Sequence, residues 1–453
     1  MLPVRLEQSN MLQHLDAGSA PRSVSEERTT GIQGAILGIY GDNDFRSQPF
    51  TEFSRLKLPE NFGIAIDTST GEFKKEVSPG VYETDRLESL TNRYLLRAAS
   101  KNLLQDFRKP TENGNSHPVY RVVRCGIGVM NEAQGVGIWK NTEFKSTHFG
   151  GLCTCGSIWQ CAVCAPKISN RRAAELAVAI SRNNEEGGVT GLLTCTIPHA
   201  AADRCADVLQ KLQQLFTRLN SGRASQAFNS EFSIRGQVRA IEFTHGFHGW
   251  HPHVHALVFS ETPLDWDLVG DEFYRRWSIS AKKNFGWDLP RLSIDFRGGN
   301  RAAQYVNKWG IENELTTGMQ KQGKGNSRSP WGLLADYASG CQASGEKWKE
   351  FATAVSRQEQ GSARLISTRQ LVWSRGLKDT FKINEVSDEE IAASQEEPAI
   401  LLGTLSFEDW VKVLNQDFEA RPVLLQIAAL GSMQDVQNFV NQLPEPSKKK
   451  LII

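Results

Sequence analysis

The sequence predicts an α+β fold with an antiparallel sheet, and three observations lead to it. Between Gly188 and Trp309 the hydrophobic pattern reads strand, helix, two closely joined strands, helix, strand, helix. That order suggests a split-βαβ, ferredoxin-like layer with one sheet face left open for a site. Four of the eight cysteines, Cys153, Cys155, Cys161 and Cys164, fall within twelve residues ahead of it, which suggests a small zinc-binding module. Beyond residue 380 the apolar residues return at helical spacing over Ser406 to Leu414 and Arg421 to Leu443, a helical C-terminal region.

A chain of 453 residues has room for two or three domains. The pattern divides it into a poorly defined region 1–100, a zinc module with its lead-in helix at 101–187, a core with an extension at 188–380, and an acidic helical tail at 381–453. The hydrophobic fraction of 40% is ordinary for a soluble protein. No apolar run approaches the roughly 18–20 residues that a membrane helix requires, so no membrane partner is expected. The first ten residues, MLPVRLEQSN, lack the basic-then-apolar order of a secretory signal. The expected location is the cytoplasm.

The net charge of +1 conceals a division along the chain. Residues 1–100 carry 11 cationic and 14 anionic side chains, residues 101–380 carry 35 and 25, and residues 381–453 carry 6 and 12. A basic body between acidic flanks fits a polyanion-binding protein.

In order along the chain, a helix is expected over Thr84 to Leu104. In the cysteine cluster, CxCx5CxxC with one tight CxxC arm suits tetrahedral zinc in a chain without an export signal. His148 is an alternative to one of the cysteines, and a group of buried or redox thiols is the alternative to zinc. The segment after it, Lys167 to Ile180, contains Arg171 and Arg172 and reads as a helix with a basic start, where cations oppose the helix dipole, which hints at a phosphate partner. Val189 to Ile197 reads as a strand stopped by Pro198. The helix Ala202 to Leu219 follows, with Val208, Leu209, Leu212, Leu215, Phe216 and Leu219 on one face. Gln237 to Thr244 and Trp250 to Phe259 are expected to pair as antiparallel neighbours. Trp266 to Lys283 then reads as a helix, Leu292 to Phe296 as a strand and Asn300 to Trp309 as a helix.

The chemistry concentrates in the strand from Trp250. Alternation puts His253 and His255 on one face and Val254, Ala256 and Val258 on the other. In the neighbouring strand Glu242 is a carboxylate inside an apolar run. Two imidazoles and a carboxylate leave coordination positions open, as suits a divalent ion that also holds a substrate oxygen. His245, His248 and His251 are read as accessory polar groups. On the helix at Asn300, Tyr305 has Arg301 on one side and Lys308 and Trp309 on the other. A phenol flanked by cations loses its proton more easily, and the cations can hold phosphate, a combination that suits a nucleophile at a phosphodiester. A packing tyrosine is the plainer alternative.

Taken together, Cys155 to Ile168 (CGSIWQCAVCAPKI), Glu242 to Phe259 (EFTHGFHGWHPHVHALVF) and Ala302 to Trp309 (AAQYVNKW) resemble the replication initiator proteins of rolling-circle plasmids, in the HUH endonuclease superfamily. The likeness covers about residues 120–380, with a looser continuation through Arg369 to Leu377. The resemblance implies an HUH endonuclease core and a metal-dependent, site-specific DNA-nicking and strand-transferring enzyme. His253 and His255 match the two metal-binding histidines, Glu242 the neighbouring acid, Tyr305 the nucleophile and Lys308 the lysine that follows it. The implied ion is Mg2+ or Mn2+, and the implied product is a 5′-phosphotyrosine with a free 3′-hydroxyl primer. The implied substrate is single-stranded or extruded origin DNA. A host helicase or other replication proteins and a second copy of the chain are further candidate partners.

One position departs from the pattern. Members of this plasmid family can carry a glutamate one helical turn before the tyrosine for the terminating cleavage, and Arg301 stands there in this chain. Termination would then need Asp295, Glu312, Glu314 or the tyrosine of a second protomer. The alternatives in function are a single-tyrosine transposase or a conjugative relaxase of the same superfamily, a zinc-containing DNA-binding regulator without cleavage, and a zinc hydrolase using His253, His255 and Glu242. The relaxases place their tyrosine before the histidines, an order opposite to this one.

Overall fold

The computed structural model describes residues 64–66, 73–78, 81–83, 85–110, 115–142, 146–298, 327–358, 365–394, 399–416 and 418–446. The expected helix at Asn300, and with it Arg301, Tyr305, Lys308, Glu312 and Glu314, lies outside the described residues.

A small sheet of β1 (Ile64–Ile66), β2 (Phe73–Ser78) and β3 (Val81–Glu83) precedes helix α1 (Asp85–Leu104), which matches the helix expected over Thr84 to Leu104. A short hairpin follows, β4 (Arg108–Pro110) with β5 (Ser116–Pro118), then β6 (Val136–Asn141) and β7 (Thr147–Gly150). Helix α2 (Cys164–Glu185) begins within the CxxC arm, three residues earlier than expected. Arg171 and Arg172 therefore sit about two turns inside it, and the dipole argument for a phosphate partner does not apply to them. Arg172 is instead bound to Glu175 (3.0 Å), one turn on in the same helix, and to Asp388 (2.7 Å), which holds α2 against the later chain.

The centre of the molecule is β8 (Val189–Cys195), α3 (Cys205–Leu219), α4 (Gly222–Glu231), β9 (Ile234–Gly246), β10 (Gly249–Ser260), α5 (Trp266–Phe285) and β11 (Ile294–Arg297). The described chain then resumes in α6 (Pro330–Ala338) and α7 (Gln342–Ala354), followed by β12 (Ser356–Gln358), β13 (Leu365–Ser367) and β14 (Leu371–Trp373). The central sheet runs β11-β8-β10-β9-β14, antiparallel throughout. Without β14 this is the split-βαβ order, with the first and third strands in the middle.

Each face of the sheet has its own cover. The predicted stripe on α3 is buried in full; α3 lies on β10 and α5 on β11, over the face that carries Ile241, Val254, Ala256, Val258 and Phe296, while Phe243 of the same face packs against Trp159 and Phe351 of α7. Each of the larger of these side chains contributes about 1.5–3 kcal/mol when removed from water. Asp265 starts α5 by accepting from the amides of Asp267 and Leu268. On the opposite face Val238, Ala240, Leu257 and Phe259 pack against Leu176 and Ala179 of α2 and against Leu377 and Phe381. That cover leaves Glu242, His253 and His255, on the same face, half-buried.

After α8 (Leu377–Thr380) and α9 (Asp388–Ala393) come β15 (Ala399–Leu405), α10 (Phe407–Asn415), α11 (Ala420–Leu430) and α12 (Met433–Gln442). The single long helix expected at Arg421 to Leu443 is two, because Gly431 ends the first and Ser432 starts the second in a capping box with Asp435. β15 completes a sheet with β6 and β7, and α10 to α12 share a core with Val136, Ile138 and Leu152. Residues from the acidic end thus pack directly onto residues 126–152; Trp410 Nε1 donates to the Ile127 carbonyl at 3.0 Å. Among the described residues no helix is long and apolar enough to cross a membrane.

Candidate functional site

Strand register builds the first cluster. The hairpin tip pairs Gly246 with Gly249, so counting back four residues on each strand sets Glu242 opposite His253. Gly249 has φ +82°, and a Cβ there would stand 2.9 Å from the Ala201 backbone, so only glycine fits this turn. Pro252 is tolerated in β10 because the pairing with β8 ends at Val254, so no strand on that side calls for the amide hydrogen that proline lacks.

Glu242 Oε2 lies 3.4 Å from His253 Nε2 and 3.6 Å from His255 Nε2. Donors sharing an ion at ~2.1 Å sit roughly 3–3.5 Å apart, so this set fits a divalent cation. Thr194 of β8, opposite His255, places Oγ1 2.9 Å from His255 Nδ1. In the tautomer that binds a cation through Nε2, the Nδ1 proton goes to Thr194, an arrangement that orients metal-binding histidines generally. Burial pushes the His255 pKa down and keeps the ring in the neutral, ligating form. His251, on the same face, is pushed down to about 4 by burial and then by His253 and His199. Asp295 of β11 is in register with Thr194 and shares this face, where it pairs with Arg297 at 2.9 Å. Thr194 and His199 are missing from the sequence reading. A hydroxyl at alternate spacing in VTGLLTCTI was the available signal for Thr194; nothing marked His199.

The second cluster differs from the expected one by one residue. Cys155, Cys161 and Cys164 gather with Cys125, not with Cys153. Cys125 Sγ is 3.5 Å from both Cys161 Sγ and Cys164 Sγ, and Cys155 Sγ is 3.8 Å from Cys164 Sγ. These separations are far too long for a disulfide. They fit the edge of a tetrahedron of thiolates about a zinc ion at 2.3 Å, about 3.8 Å. The group is buried and could hold a metal such as zinc.

The place of Cys125 in the group has a backbone cause. The Gly126 amide donates to the Cys153 carbonyl and the Cys153 amide to the Gly128 carbonyl, both at 2.8 Å, which lays the Cys125 turn beside Cys153 and fills the fourth corner. Cys153 Sγ rests against Gly128 instead. Cys125 and Cys155 are each followed by a glycine at left-handed φ, +61° at Gly126 and +62° at Gly156. This repeated Cys-Gly pair was the signal in the sequence. His148, on β7 opposite Trp139, is not part of the group. Hydrogen bonds from the neighbouring thiols, led by Cys155, hold Cys125 well below the usual thiol range, whereas burial pushes Cys155 up.

No family model and no solved structure matches the chain. Among curated proteins it is similar to one named Protein rep from Streptomyces lividans, 33% identical over 233 aligned positions that take in 40% of this chain and 51% of that protein. It is also similar to a neomycin resistance protein from Streptomyces cyanogenus, 32% identical over 133 positions, 24% of this chain and 30% of that protein. The chain therefore spans about half, or less, of the length of these two relatives, and resembles each only in part.

Proposed function

We propose that the chain is a rolling-circle plasmid replication initiator of the HUH endonuclease type, which nicks one strand at the origin and rejoins strands. The observation that carries this reading is the convergence of Glu242, His253 and His255 on one face of a split-βαβ sheet. The likeness to Protein rep supports it.

An Mg2+ or Mn2+ ion held by the triad would supply Lewis acidity at the scissile phosphate. The phenolic oxygen of Tyr305 attacks phosphorus, the bond to the 3′-oxygen breaks, and the strand divides into a 5′-phosphotyrosine and a 3′-hydroxyl that primes synthesis. Lys308 binds the phosphate or the phenolate. Thr194 holds His255 in its ligating orientation. Because the new phosphotyrosine keeps the energy of the broken diester, rejoining needs no nucleotide cofactor. Of the three acids suggested for the terminating cleavage, Asp295 is the one described, on the triad's face of the sheet.

Zinc in the Cys125, Cys155, Cys161 and Cys164 group acts as a structural staple. DNA affinity comes from the basic body, +10 over residues 101–380, and falls steeply with salt. Host replication proteins and a second protomer are the further partners of this reading, and the cytoplasm its location.

The test is a covalent adduct. Purified chain with Mn2+ and an oligonucleotide spanning the origin is expected to form one, and Tyr305→Phe to abolish it while DNA binding persists. An undiminished adduct in that variant removes Tyr305 from the mechanism.

A further inference from the structure

We infer that the tip of the β9–β10 hairpin, Phe247 with His248, is a stacking site for an unpaired nucleobase of the DNA strand that crosses the metal triad. The choice of DNA as ligand rests on the function proposed above.

Phe247 is 88% exposed, whereas the next most exposed phenylalanine among the described residues, Phe107, is 41% exposed. Tight turns favour glycine, asparagine, aspartate and serine, and a phenyl ring left in water forgoes the stabilisation of burial. The ring is not on a loose loop. Gly249 packs directly on the backbone of Ala200 and Ala201, and the neighbouring Trp250 is buried. His199 Nδ1 lies 2.9 Å from the carbonyl of His248, which can only accept, so Nδ1 carries the proton. His199 Nε2 then accepts from His251 Nδ1 at 2.8 Å in the neutral ring. The tip is thus clamped to the 199–201 loop, and its one large apolar group is held outward.

The rings also lead somewhere. Phe247 and His248 stand 5.1 Å apart, edge to face. Behind the clamp the imidazoles of His199 and His251 are 4.9 Å apart, His251 and His253 5.5 Å, and His253 and His255 4.9 Å. A row of imidazoles therefore runs from His199 to the triad, and the tip joins its outer end through the His248 carbonyl that holds His199. A strand cut at the triad is unpaired there, and its bases lose their neighbours. Aromatic rings take up such bases with little regard to sequence. Duplex DNA keeps its bases inside and gains nothing from the tip.

The experiment titrates the full chain, without added Mg2+ or Mn2+, against a mixed-sequence single-stranded oligodeoxynucleotide containing 2-aminopurine, and against its duplex. Phe247→Ala is expected to weaken single-strand binding roughly 5- to 100-fold and to abolish the 2-aminopurine fluorescence change, with duplex binding unaltered. Phe247→Trp restores both signals and Phe247→Leu does not. Ile279→Ala, an exposed apolar residue on α5 in the opposite layer, leaves binding unchanged. Undiminished single-strand affinity in Phe247→Ala, equal losses for single strand and duplex, or rescue by leucine overturns the inference; the first of these leaves the ring to a protein contact. Adduct formation is scored separately with Mn2+ and the origin oligonucleotide. A wild-type chain that forms no adduct yet loses single-strand binding in Phe247→Ala overturns the nicking reading and sustains the stacking site.

Discussion

The two candidate metal centres are built in opposite ways. Glu242, His253 and His255 come from adjacent strands within fourteen residues of sequence, are half-buried, and sit where the cover of a sheet face stops. The four cysteines come from two glycine turns and the start of a helix, span Cys125 to Cys164, and are all buried. Open donors suit an ion that must exchange a substrate oxygen, and enclosed thiolates suit an ion that only holds the chain together. Strand register makes the first kind of site from local pattern, whereas the second kind depends on where distant loops meet.

Four experiments break or sharpen this contrast. The largest effect should come from the enclosed site. Metal analysis is expected to find about one zinc per chain, and the double change Cys161→Ser, Cys164→Ser to lose it together with several kcal/mol of stability. Cys125→Ser should lose the zinc and Cys153→Ser should keep it; the opposite stoichiometry would reinstate Cys153 as the ligand. At the open site, Glu242→Gln or His255→Ala is expected to slow Mn2+-dependent adduct formation by on the order of 100- to 1000-fold, with a melting temperature close to that of the wild type. A variant that unfolds would mean the triad, too, is structural.

Thr194→Val comes next, lowering Mn2+ affinity about 10- to 100-fold in calorimetric titration, while Thr194→Ser retains it. Equal affinities for the two variants would remove the hydroxyl from its orienting role. The smallest effect is that of pH. His251 is pushed down to about 4 and His255 is also lowered, so below the ordinary histidine pKa of 6.5 the unfolded chain takes up protons that the folded chain refuses. The contribution of these two histidines to stability is therefore constant above about pH 6.5 and falls as pH drops toward 4. Thermal melts without added divalent ion should show His251→Gln losing less stability than the wild type over that interval.

Much of the centre was legible because short-period patterns fixed it. Alternation in Trp250 to Phe259 put His253 and His255 on one face, and a two-residue tip aligned Glu242 with them. The stripe on α3 was legible for the same reason, six apolar residues at helical spacing. What stayed hidden depends on contacts between distant segments. Cys153 stood closer in sequence to the other three cysteines than Cys125, but a pair of backbone hydrogen bonds decided between them. Thr194 reaches His255 only because β8 lies beside β10, a pairing that follows from the whole βαββ connection. The acidic composition of residues 381–453 described their surface and concealed the buried Trp410, Phe439 and Val440 that join them to β6.

The pairing of β15 with β6 has a consequence for how the protein is made. The two strands are separated by roughly 260 residues, about 13–50 s of synthesis at 5–20 residues per second. Through that interval the emerging chain holds Val136, Ile138 and Leu152 without the helices that cover them. An interrupted message would yield a chain with its central sheet complete and this second core open, a form prone to self-association and to degradation. β15 is thus the last of the described strands to be made, and the second core closes only once it and α10 to α12 have joined β6.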